Sequence, residues 1–109
     1  MLVKTSQLTR GERLLVKRRR DAASQVEAAA NFGVSLYNYR QWETDTLKAP
    51  HKLGLGTLEP FEACFITRRR TGSSASAIAK RVGVSRWWFC QMERGDVDAT
   101  RLVSFWRGA

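Results

Sequence analysis

The feature that most constrains this chain is an internal repeat. Shifted by 50 residues without a gap, Leu8 to Asp45 lies over Leu58 to Gly95, and 12 of the 38 paired positions are identical. Composition alone would give roughly two or three matches, so the two segments obey one structural rule. The identities are Leu8/Leu58, Glu12/Glu62, the triplets Arg18 to Arg20 and Arg68 to Arg70, Ser24/Ser74, Ala29/Ala79, the Gly-Val-Ser runs at 33–35 and 83–85, Gln41/Gln91 and Glu43/Glu93. The chain must build the same unit twice.

Each unit parses into three helices by the same signals. Thr9 followed by Glu12 is a capping-box pattern, and Leu14 and Leu15 supply an apolar face up to the first Arg triplet. In the second unit Pro60 takes the first helical position and Glu62 stands where Glu12 stood. Helix one is thus expected over 10–21 and 60–71. Helix two runs from the Ser24 or Ser74 cap to Phe32 or Val82, and stops at Gly33 or Gly83, where a left-handed residue is easiest for glycine. Helix three starts at the Ser35 or Ser85 cap and ends near Glu43 or Glu93. Two short helices joined by Gly-Val-Ser, with a small Ala29 or Ala79 between them, read as a helix-turn-helix.

The expected architecture is all-α, with two tandem helix-turn-helix units. Residues 1–7 read as an N-terminal tail, 8–50 as the first unit, 51–59 as a linker and 60–109 as the second unit. Linker character extends over Thr44 to Glu59, through Pro50, Gly54 and Gly56. Asp98 to Arg107, with Leu102, Val103, Phe105 and Trp106, reads as a final amphipathic helix. Its apolar residues read mostly as core, some of them covering a dimer surface.

Charge narrows the partners. Nineteen Lys and Arg against ten Asp and Glu give a net charge of +9, while 43% of the residues are hydrophobic, enough for a folded core. The excess is shared, because residues 1–50 carry nine basic and five acidic side chains (9 − 5 = +4) and residues 51–109 carry ten and five (10 − 5 = +5). Such a chain attracts a polyanion, so double-stranded DNA is the expected partner. No apolar run approaches the roughly 20 residues of a membrane span, and Met1 to Gln7 has no signal-peptide hydrophobic region, so no membrane partner and a cytoplasmic location are expected. Cys64 and Cys90 lack ligand-type spacing and His51 is the only histidine, so no metal, cofactor or enzymatic activity is expected; both cysteines read as reduced thiols, Cys64 as a packing residue. No P-loop, paired-carboxylate or dinucleotide pattern is present.

Residues Ser73 to Gly95, SSASAIAKRVGVSRWWFCQMERG, resemble the lambda-repressor-like, Cro-type helix-turn-helix family, and Ser24 to Glu43, SQVEAAANFGVSLYNYRQWE, resemble the same pattern. The pattern is a Ser-Gln opening to helix two, an Ile-Ala or Leu-Ala pair, Gly-Val-Ser at the turn, and a closing Glu followed by Gly. The likeness covers about three quarters of the chain. It implies an ion pair between an Arg late in helix one and the Glu ending helix three, which by position are Arg18 with Glu43 and Arg68 with Glu93. It also implies that helix three enters the major groove. The outward set would be Ser35, Leu36, Tyr37, Asn38 and Gln41 in the first unit, with Tyr39 and Trp42 inward. In the second it would be Ser85, Arg86, Trp87, Trp88 and Gln91, with Phe89 and Met92 inward. Asn38 and Gln41 suit the N6/N7 edge of adenine, and Arg86 a guanine or a phosphate. The family's helix-two glutamine is kept as Gln25, a candidate phosphate anchor, whereas the second unit has Ala75.

Several residues carry two readings. Trp87 and Trp88 stand where small or polar residues are usual, and suit either DNA contact or a protein interface. Arg19, Arg20, Arg69 and Arg70 read as phosphate contacts or as a solvated cluster favoured by the helix dipole. Lys80 and Arg81 read as a solvated face. The resemblance implies a transcriptional regulator, a repressor before an activator, of a phage, plasmid or other mobile element. If one chain spans two half-sites about 34 Å apart, the difference between Tyr37-Asn38 and Trp87-Trp88 makes the site asymmetric; a homodimer restores a palindrome. The rivals are a protein-interaction module of antitoxin or anti-activator type, and a DNA recombination or packaging accessory protein.

Overall fold

Side-chain oxygens supplied at fixed places set where the helices begin. The computed structural model describes residues 2–49 and 53–108, and among these the chain is all-α, with seven α-helices and no strand. They are α1 (Arg10–Arg20), α2 (Gln25–Phe32), α3 (Leu36–Glu43), α4 (Pro60–Thr71), α5 (Ala75–Val82), α6 (Arg86–Arg94) and α7 (Thr100–Gly108), preceded by a 3-10 turn at Thr5–Gln7. The hydroxyl oxygens of Thr9, Ser24, Ser35, Ser74 and Ser85 each accept the backbone N–H three residues on. Each such cap contributes about 1 kcal/mol, which matters for helices of two turns. Before α7 the Asp98 carboxylate accepts instead from the residue two on, from both the N–H and the hydroxyl of Thr100.

The chain divides into two units, Thr5–Gly56 and Met1–Lys4 with Thr57–Ala109. In the first, α3 packs on α1 and α2. Leu14, Leu15 and Val16 of α1 are buried, as are Ala28, Ala29 and Tyr39, against which Phe32, Val34 and Trp42 pack. Phe32 and Trp42 meet edge to face with centroids 5.9 Å apart, a favoured aromatic geometry.

The stretch read as a linker is not one as far as Gly56. Arg10 donates to the Ala49 carbonyl at 2.9 Å, Arg13 to Leu53 at 3.1 Å and Arg20 to Leu55 at 2.7 Å, and both Ala49 and Leu55 are buried. An irregular segment has carbonyls with no ladder partner, and three guanidinium forks from one helix supply the donors. Pro50 and His51, part of the expected linker, lie outside the described residues.

In the second unit α4, α5, α6 and α7 share one core of Cys64, Ile78, Val82, Phe89, Leu102 and Trp106, with Met92 and Ala79 beside them. Arg101 donates to the Val82 carbonyl at 2.8 Å, closing the C-terminus of α5. The expected seven-residue tail is divided. The Val3 N–H donates to Thr67 Oγ1 at 3.2 Å and Leu2 packs on the second core, while Thr5–Gln7 belongs to the first unit.

Candidate nucleic-acid interface

The turn between the second and third helix of each unit is built by one residue that accepts a positive φ. Gly33 has φ 68° and Gly83 φ 87°. In each unit the following valine N–H reaches back to the alanine carbonyl of the preceding helix at 3.1 Å, Val34 to Ala29 and Val84 to Ala79. The chain then meets the Ser cap and starts the next helix. Both alanines are buried, so the two helices approach closely there.

A two-point ion pair holds the end of the third helix to the first. Arg18 Nε donates to Glu43 Oε2 at 2.6 Å and Nη2 to Oε1 at 3.2 Å; Arg68 repeats this on Glu93 at 2.8 and 3.0 Å. The remaining nitrogen of each guanidinium ties down the turn after helix one, on the Ala23 and Ser73 carbonyls. Burial alone would push the Glu43 carboxyl up, but hydrogen bonds from Arg18, Gln25 and Tyr39 outweigh it and hold its pKa below the ordinary value.

Gln25 is drawn into the same network. Its Nε2 donates to Glu43 Oε1 at 3.0 Å and its Oε1 accepts from Arg40 Nε at 3.2 Å. The phosphate-anchoring role expected for it therefore competes with a structural one. Ala75 and Cys90 stand at the matching positions of the second unit and form no such bridge.

The third helices expose some of the expected outward positions and half-bury others. Tyr37 is 69% exposed, Trp87 64% and Trp88 42%, while Tyr39, Phe89 and Met92 are buried. Asn38 and Arg86 are exposed, Gln41, Gln91, Leu36 and Trp42 are half-buried. Ser35 and Ser85 are exposed, with oxygens committed as caps to the N–H of Asn38 and Trp88. Among the Arg triplets, Arg20 is held on Leu55, Arg19 is half-buried, and Arg69 and Arg70 are exposed.

The electrostatics of the two motifs differ in sign. Residues 24–45 hold one basic side chain, Arg40, against Glu27, Glu43 and Asp45 (1 − 3 = −2). Residues 74–95 hold Lys80, Arg81, Arg86 and Arg94 against Glu93 alone (4 − 1 = +3). Glu93 is buried on Arg68, so the second motif shows no carboxylate at its surface. The positive charge of the first unit sits on α1, where Arg10, Arg13, Arg18 and Arg20 all have internal partners.

Sequence reasoning missed Asp45. Its φ is 62°, and its carboxylate accepts from the Gly11 N–H at 2.9 Å and from the Thr9 hydroxyl at 2.6 Å, stapling the end of α3 to the start of α1. At the matching positions the second unit has Phe61 over Gly95, where a Cβ would stand 2.6 Å from the Phe61 ring. The reciprocal exchange of Gly-Asp for Phe-Gly was readable in the repeat.

Among the described residues no group of His, Cys, Asp and Glu could hold a metal ion, and no helix is long and apolar enough to cross a membrane. Burial pushes the Cys64 thiol up to about 12, so it packs as a thiol rather than reacting as a thiolate. No family model, no curated protein and no solved structure matches this chain.

Proposed function

We propose that this protein is a sequence-specific, DNA-binding transcriptional regulator made of two tandem helix-turn-helix units of the lambda-repressor-like type. The observation that carries the reading is the repeated combination of a left-handed glycine turn and a Ser-capped helix with its outward face exposed, in a chain of net charge +9. Phosphate contacts supply salt-dependent affinity and base-edge contacts supply sequence. In the first unit Asn38 and Gln41 are the readers, each offering a donor and an acceptor to adenine. Occupancy of a promoter then blocks polymerase, which makes the protein a repressor, and a cytoplasmic site of action goes with that role. A mobile-element origin rests on the family resemblance alone.

Because the two outward faces differ, a monomer would occupy an asymmetric site, and a homodimer would restore a palindrome. One observation favours a second reading. The exposed indoles of Trp87 and Trp88 suit a protein interface, as in an antitoxin or anti-activator module. Selection of bound duplexes from a random library, at two salt concentrations, separates the readings. A defined motif is expected. Binding without a motif that vanishes with added salt would overturn the regulator.

A further inference from the structure

The second unit exposes more aromatic surface than duplex reading can use. At i, i+4 and i+7 spacing, Trp87, Gln91 and Arg94 share one face of α6, with Arg86 and Trp88 on its flanks. The indoles of Trp87 and Trp88 are tilted by 45° with centroids 5.9 Å apart, so they do not stack flat on each other, and they are 64% and 42% exposed. In a duplex the major groove offers an indole little beyond thymine methyl groups, because the flat faces of the bases are covered by their neighbours. Unpaired bases present those faces, and a base stacked on an aromatic side chain contributes about 1–3 kcal/mol.

The charge around the indoles fits the same occupant. Arg86 and Arg94 are both exposed on α6, and no surface carboxylate occurs on α6 itself, the nearest in sequence being the exposed Asp96 after it. An apolar, aromatic face edged by cations matches a ligand that has flat apolar faces on a polyanionic backbone. The repeat adds a second point. The first unit also puts an exposed aromatic at this register, Tyr37, but it pairs it with Asn38 instead of a second indole and carries no cation at Thr44, the position matching Arg94. The outward faces of the two helices thus differ in aromatic content and in charge.

We propose that α6 is a platform for unpaired bases, so that the second unit binds single-stranded DNA. Trp87 and Trp88 stack successive bases, while Arg86 and Arg94 neutralise the flanking phosphates. This rests on the DNA-binding reading for the class of ligand, but not on duplex recognition by the first unit.

The test uses the full chain and three probes: a fluorescein-labelled oligothymidine, the duplex recovered by selection, and polyglutamate. Oligothymidine is expected to bind and to quench tryptophan fluorescence, since Trp87 and Trp88 are exposed whereas Trp42 is half-buried and Trp106 buried. The pair Trp87→Leu and Trp88→Leu keeps apolar area but removes the aromatic faces, and is expected to weaken oligothymidine binding by about tenfold or more. Circular dichroism establishes that this variant is folded, and its oligothymidine affinity should fall more than its duplex affinity; equal losses for the two ligands would overturn the platform. Duplex binding without oligothymidine binding would overturn the platform and leave the regulator standing. Oligothymidine binding without duplex binding would support the platform and remove the regulator. Leucine variants that bind oligothymidine like the parent, or polyglutamate that quenches as strongly, would also overturn it, the latter pointing to an acidic protein segment.

Discussion

The two units share a frame and differ in how its open side is closed. In both, an Arg–Glu pair ties the third helix to the first, and a left-handed glycine sets the turn. In the second unit α7 closes the core with Leu102 and Trp106. Among its described residues the first has no such helix. There, Arg10, Arg13 and Arg20 of α1 hold the carbonyls of the returning chain, so hydrogen bonds do part of what apolar burial does in the other unit. Buried apolar area is non-directional, whereas each guanidinium–carbonyl bond is lost when one donor is removed. The comparison teaches that a conserved frame tolerates two different means of closure, and leaves the outward face of helix three free to diverge.

The largest expected effect tests whether the frame is common. Arg18→Ala and Arg68→Ala should each cost about 3 to 5 kcal/mol, because each leaves a buried carboxylate unpaired, and hydrogen exchange should show the loss confined first to the unit concerned. Loss from one variant only would break the equivalence of the units. The same pair sets an acid limit. Glu43 titrates below its unfolded value, so its contribution is fully present above about pH 4.3 and is lost as pH falls through the folded value. Acid denaturation of Glu43→Gln should lack that portion.

The junction of helix one with the end of helix three comes next. Replacing Gly11 by Phe should cost about 1–3 kcal/mol, since even a Cβ there would stand 2.7 Å from the Glu43 carbonyl oxygen. Asp45→Gly should cost less, through its bonds to Gly11 and Thr9. If the units solve one packing problem in two ways, the double variant should recover part of the sum, with a coupling of about 0.5–3 kcal/mol by denaturation. Strict additivity would mean that Phe61-Gly95 is no substitute for Gly11-Asp45.

Charge sharpens the contrast between the faces. Removing two cations by Arg86→Ala with Arg94→Ala should lower the slope of log oligothymidine affinity against log salt by about 1.4, whereas Arg40→Ala, whose Nε is engaged by Gln25, should change it by less than about 0.7. The smallest effect lies at a turn. Ala22 has φ 51° where the second unit has Gly72, so Ala22→Gly should stabilise the first unit by about 0.5–1 kcal/mol, read as a rise in the denaturant midpoint.

Helix limits and the glycine turn were legible in the sequence because each depends on local chemistry: a hydroxyl cap and a positive φ. The outward set was less so, since Leu36, Gln41 and Gln91 are half-buried, as is Trp42, which the period turns inward. The arginine clamps were not, since Arg10, Arg13 and Arg20 look like a solvated basic face until the patternless segment they hold is placed beside them. The same holds for Leu2 and Val3, whose partner Thr67 is 64 residues from Val3. Gln25 was read outward by family position, and its bond to Glu43 depends on how closely α2 approaches α3. The opposite charges of the two motifs were legible by counting each motif alone, a distinction that near-equal half-chain totals concealed.

The central claim is that one frame carries two different readers. Duplex selection repeated with Asn38→Ala plus Gln41→Ala tests it most directly. The account predicts that the selected motif relaxes, with discrimination reduced by about 1–3 kcal/mol per base pair, while oligothymidine binding is unchanged. A motif that survives intact, or oligothymidine binding lost in step with it, would contradict it.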